Sequence, residues 1–303
     1  MRLPGIPLIT REGPAAAVAE VSVDLGANRI AAMDADGIDM HVLMLSAPGV
    51  QVFEPGIAVA LATEANDYAA AACAAYPRRF AFLAAVAPQD PAAAARELQR
   101  ARSLAGMKGA IINSHTQDRY LDEPFFWPIF EALEALDLPL YIHPRDPSAG
   151  MREAMTGPIT GGPAWAYGVE VGTHVLRLVQ AGVFDRFPRL RVVIGHMGES
   201  LPFWLPRIDN RYVEMAGMLG HRLKPRLPSD YVRTNVWVTT SGMNYWPQLR
   251  MTLDVLGWDK VLYATDYPFE RQGETVARVE AMPLTAVQKR TLFEENASRV
   301  FGL

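Results

Sequence analysis

Residues 80–115 read FAFLAAVAPQDPAAAARELQRARSLAGMKGAIINSH, and they contain one complete structural unit. The apolar run FAFLAAVAP is too short for a buried helix and reads as a strand. Asp90 and Pro91 then open an alanine-rich helix that Gly106 closes, because proline suits a first helical turn and glycine suits the position just past the end. MKGAIINSH returns to an apolar run. Both strands are nearly continuous in apolar residues rather than alternating, which is the pattern of a parallel strand covered on both faces. The unit is therefore strand, crossover helix and parallel strand.

The same alternation continues in both directions. Upstream, GANRIAAMDADGI (26–38) has helical spacing, DMHVLMLSAPG (39–49) reads as a strand, and residues 54–80 open with a long alanine-rich helix. Downstream, strands are expected in LPLYIHP (138–144), LRVVIGHMG (190–198), NVWVTTSG (235–242) and DKVLYATDYP (259–268). Helical segments lie between them, and TAVQKRTLFEENASRVFGL (285–303) is a helical tail. That makes seven strands, one fewer than a closed eight-stranded α/β barrel needs. No Rossmann glycine turn or phosphate-binding loop follows the first strand. No composition break marks a second domain, so the expectation is one α/β domain over 1–303, a (β/α)8 TIM-type barrel with its first strand missing or atypical.

Composition narrows the function. Net charge is −4, and the 29 basic residues form no stripe, which argues against nucleic acid. The single cysteine, Cys73, excludes an intramolecular disulfide and a cysteine-based zinc site. The opening MRLPGIPLITREGP lacks the charged start and apolar core of a signal peptide, and no apolar run is long enough to cross a membrane. A cytoplasmic protein is expected.

The polar residues collect where the strands end. His115, His143, His196, Thr239 with Thr240 and Ser241, and Asp266 each close one of five successive strands, and that end of a β/α barrel is where catalytic groups sit. His143 and Asp266 have the chemistry of a divalent-metal site, since imidazole and carboxylate suit zinc or manganese. Glu199 follows His196 by three residues, so on a helical turn the two share a face, and a carboxylate partner equips an imidazole for general acid/base work. Trp165, Tyr167 and Phe269 are candidate pocket walls. His174 and His221 read as structural, and His41 begins a strand, at the wrong end for chemistry.

YIHPRDP, VVIGHMGESLPFWLPRIDNR, VTTSG and YATDYPFE, taken in order, resemble the amidohydrolase-related metal-dependent decarboxylases, such as those acting on γ-resorcylate and 2,3-dihydroxybenzoate. Weaker similarity runs from about residue 29 to the carboxyl terminus. The resemblance implies non-oxidative decarboxylation of a hydroxylated aromatic acid, with one divalent metal ion, zinc or manganese, and no organic cofactor. It implies His143 and Asp266 as metal ligands, His196 and Glu199 as the catalytic pair with His196 the proton donor, and Arg207 as a substrate contact. A dimer or tetramer is also implied. The alternatives on this frame are a hydrolase of a lactone or amide, and a metal-poor member that binds without turnover. The family's first strand carries Glu-x-His, which this chain does not show. A start placed too far downstream is the favoured explanation, and true loss of the strand is the other.

Overall fold

The computed structural model describes residues 16–303. Seven strands form one sheet in sequence order: β1 (His41–Leu43), β2 (Phe80–Ala85), β3 (Met107–Asn113), β4 (Leu140–His143), β5 (Val192–Ile194), β6 (Val236–Thr239) and β7 (Val261–Leu262). Every neighbouring pair is parallel. Sequential order with a crossover helix after each strand is barrel topology, and it brings all seven carboxyl ends to one rim.

Two apolar cores result. The larger lies between the sheet and its outer helices and includes Phe82, Ile112, Ile142, Ile194 and Val238. The smaller fills the inside of the curl with the alternate residues, Leu83, Ile111, Tyr141, Val193 and Leu262. Burial on both faces is why these strands read as continuous apolar runs. Val300 and Phe301, from the helix Asn296–Phe301, belong to the inner core and stopper it. Lys108, on β3, donates to the carbonyl of Gly302 beside them.

The unit over 80–115 forms as its residues dictate. Asp90 caps the Pro91–Ala101 helix by accepting the Ala93 N–H at 2.9 Å, with Pro91 in the first turn. Expectation and structure differ most at β7, where DKVLYATDYP yields only two strand residues. Among the described residues β7 pairs with β6 alone, and the next N–H, that of Tyr263, bonds to the carbonyl of Leu292 instead of a neighbouring strand. Among the same residues β1 pairs only with β2. The seven-strand expectation is thus met among the described residues, in which a slot separates the outer edges of β1 and β7. A helix over Pro228–Asn235, absent from the sequence reading, precedes β6.

Candidate active site

His143, His196, Ser241 and Asp266 line one cavity of about 1150 Å³ at the strand rim, together with Tyr141 and Thr239. Met44, Leu45 and Ser46, from the loop after β1, form a second wall, and Phe269 a third. The cavity is large because it runs down the slot as far as His41. That residue is bonded to Gln272 at 3.1 Å, and Arg29 lies 3.4 Å from its other ring nitrogen.

His143 closes β4. Its Nδ1 lies 2.7 Å from the Pro144 carbonyl oxygen. A carbonyl only accepts, so Nδ1 carries the proton and Nε2 keeps its lone pair. Burial, reinforced by the neighbouring His196, pushes its pKa down to about 4, so it is neutral at physiological pH. Asp266 follows β7 with a left-handed φ of 66°. Burial raises its pKa and Glu199 adds to that, with His196 opposing. It is a desolvated carboxylate whose nearest cation is His196, Nε2 to Oδ2 3.9 Å.

The turn carrying His196 and Glu199 is helical, but of the opposite hand to an ordinary α-helix. His196, Met197, Gly198, Glu199 and Ser200 have φ values of 47°, 59°, 83°, 52° and 65°. Left-handed backbone costs roughly 1–2 kcal/mol for each residue bearing a Cβ, and four of the five do. Packing holds the turn in place. A Cβ on Gly198 would stand 2.9 Å from Val238, so a side chain there is excluded by both space and φ. Met197 is buried, and the His196 N–H donates to Ser241 Oγ at 3.2 Å. Ser241 is itself 2.9 Å from Thr239 Oγ1, which is 3.3 Å from Tyr141 Oη.

One turn of this hand also joins residues three apart. His196 Nδ1 lies 2.6 Å from Glu199 Oε1, and the Glu199 carboxylate is buried. Burial alone would lower the imidazole pKa. The Glu199 charge and hydrogen bond outweigh it, Asp266 adds to them, and the value rises to about 9. His196 is therefore an imidazolium at neutral pH, with Nδ1 committed to Glu199 and Nε2 the nitrogen available to substrate. A folded pKa above the unfolded 6.5 gives stabilisation that is complete below about pH 6.5 and lost as pH rises through about 9. In chelator-treated protein the melting temperature should fall between pH 7 and 9, and Glu199→Gln should flatten that fall. An equal fall in both proteins would contradict the pairing.

Other sequence candidates lie elsewhere. His115 closes β3 but is locked away: Nε2 bonds to the Asp146 carbonyl at 3.0 Å and Nδ1 accepts the Asp118 N–H. Arg207 is exposed on the helix Leu201–Leu219 and does not line the cavity. Trp165 and Tyr167 do not line it either, whereas Phe269 does. His174 is structural, accepting the Leu121 N–H at Nε2 and meeting Ser114 at Nδ1. Tyr141 was missed because an inward tyrosine in an apolar strand reads as core.

Neutral imidazole and an unneutralised carboxylate are donors of the kind a divalent ion takes. Among the described residues, no group of three or more His, Cys, Asp or Glu could enclose an ion. His143 and Asp266 thus fit a metal in donor type and are the two candidate ligands on this rim. No helix among the described residues is long and apolar enough to cross a membrane.

Known proteins share this arrangement of elements. The γ-resorcylate decarboxylase of Rhodococcus jostii (strain RHA1) is 36% identical over 293 residues, covering 93% of this chain and 88% of its own. The structure of 5-carboxyvanillate decarboxylase from Novosphingobium aromaticivorans, with manganese and 4-hydroxy-3-methoxy-5-nitrobenzoic acid, matches at TM-score 0.91 and 44% identity, covering 96% of this chain and 85% of that one. The dihydroxybenzoic acid decarboxylase of Polaromonas sp. JS666, with manganese and 2-nitroresorcinol, matches at TM-score 0.88 and 34% identity, over 95% and 89%. The family model described as Amidohydrolase matches residues 22–303, and with it the chain belongs to the amidohydrolase family.

Proposed function

We propose that this chain is a metal-dependent carboxy-lyase that removes CO2 from a hydroxylated aromatic acid, with residues 1–303 working as one cytoplasmic domain. The observation that carries this reading is the pairing of His196 with Glu199 at 2.6 Å on the rim that also presents His143 and Asp266. The manganese-bound, aromatic-ligand-bound relatives support it.

His143, through Nε2, and Asp266 would hold the ion. When bound, a divalent metal supplies a Lewis acid for the carboxylate and the adjacent phenolate oxygen. Met44, Leu45 and Phe269 offer an apolar surface for the ring. His196 gives its Nε2 proton to the ring carbon that bears the carboxylate, forming a C–H bond while the phenolate supplies electron density. The carbon–carbon bond then breaks, CO2 leaves, and its electron pair restores the aromatic ring. Glu199 keeps its carboxylate on Nδ1 throughout and steadies the charge. His196 recovers its proton from solvent.

The test is CO2 release from a panel of ortho- and para-hydroxybenzoates with added manganese. CO2 with one equivalent of the decarboxylated phenol is expected. A ring-opened product without CO2 would replace the reading with a hydrolase. The other reading is a binding protein without turnover, and silence across the panel with manganese bound would favour it.

Within its own chain Arg207 is remote from the cavity, so a substrate contact through it requires a second copy. Phe203 and Trp204, exposed one turn away on the same helix, give such a copy an apolar surface. We accordingly propose a homo-oligomer built on this face. Trp204→Glu should shift sedimentation to the monomer, and an unchanged profile would place the interface elsewhere.

A further inference from the structure

The helix Ala166–Ala181 carries two glycines four residues apart, Gly168 in its first turn and Gly172 in its interior. Glycine is among the poorest residues for a helix and alanine the best, so Gly172, and Gly168 to a lesser degree, gives up stability for something. A Cβ built on Gly168 meets a single atom within 4 Å outside its own helical surroundings, Glu199 Oε2 at 3.1 Å. One built on Gly172 meets the backbone oxygen of the same glutamate, also at 3.1 Å. The helix therefore yields space at both ends of one residue.

Glu199 has little freedom to move away. Its side chain is buried, its Oε1 is held by His196, and its backbone sits within the left-handed turn. On the other side, the space over Gly195 is bounded by Tyr141 Oη, Ser241 Oγ and Glu199 Oε1, at 3.1, 3.3 and 3.7 Å from a Cβ built there. The carboxylate is thus enclosed from two directions. A methyl group at 168 would displace it by a few tenths of an ångström along the one side where only hydrogen now stands.

We infer that Gly168 is a positioning residue for Glu199, its missing side chain leaving the room in which the carboxylate reaches His196. The inference rests on the reading of His196 and Glu199 as the proton-transfer pair. It requires kcat to fall on one substitution while stability does not, which a purely structural glycine would not do.

A double-mutant cycle with manganese-supplemented protein tests it. In the wild-type background, Gly168→Ala should lower kcat about tenfold, since placement errors well below 1 Å already slow chemistry. KM should stay within about twofold, because ring contacts are elsewhere, and the melting temperature should hold or rise slightly. In a Glu199→Asp background the carboxylate is one methylene shorter and stops short of residue 168. There the same alanine should cause no further loss of kcat, and should raise the melting temperature by about 2 °C more than it does in wild type.

Equal melting shifts in both backgrounds would overturn the inference, and they can be read without any turnover. A fall of several degrees in both would overturn it too, by making the gap ordinary packing. Wild-type kcat in Gly168→Ala alongside an inactive His196→Ala would remove the inference alone. Turnover surviving in His196→Ala would remove the reading of the pair together with the inference.

Discussion

His196→Ala should lose about 10³-fold in kcat, the middle of the range for removing a positioned general acid. KM should change little and bound manganese not at all. The side chain acts only as the proton reaches the ring carbon, so kcat and kcat/KM should fall together. His196 differs from the proposed ligand pair: its Nδ1 is occupied by Glu199 at 2.6 Å, and with its pKa raised to about 9 it is charged and a poor ligand. Deuterium should enter the vacated ring position when wild-type turnover runs in D2O. An active His196→Ala protein would mean that another group or water delivers the proton. Manganese lost on that substitution would move His196 into the ligand set.

Asp266→Asn should weaken manganese binding at least about 100-fold, the upper end of what even an outer partner of a metal ligand is worth. Turnover should then be undetectable at micromolar metal. The same change should leave the metal-free protein as stable as wild type or more so. Asp266 is desolvated, and its pKa is raised by burial, so as a carboxylate it works against the fold at neutral pH. Asparagine keeps the shape, drops the charge and tolerates the left-handed φ of 66°. Metal content by elemental analysis and melting in chelator separate the two effects. If the metal-free variant unfolds more readily, Asp266 serves the fold. If manganese stays bound, the ligand assignment fails.

Much of this was legible in the sequence because burial on both faces of a parallel strand leaves continuous apolar runs. A polar residue closing such a run stands at the rim, which is how His143, His196 and Asp266 could be picked out. His115 obeys the same rule and yet misses the cavity, since the backbone after β3 offers it two partners, Asp146 and Asp118. Strand position fixes which rim a residue joins, and local hydrogen bonds fix where it faces. Arg207 was illegible for a different reason: a long helix shows one face to the core and another outward, and spacing from Glu199 could not choose between them across the change of backbone hand at Ser200. That change leaves only an indirect mark, the glycine at 198.

The mirror-handed backbone of residues 196–200 also shapes how this segment tolerates variation. Right-handed helix formers, harmless in most loops, would here wind the chain the other way and turn the imidazole out of the cavity. Met197 and Ser200, which the proposed chemistry does not use, are bound by that geometry as tightly as the two residues that it does use. Invariance along this stretch across a lineage would therefore record handedness as much as catalysis, and counting unchanged positions would overstate the number of reacting groups.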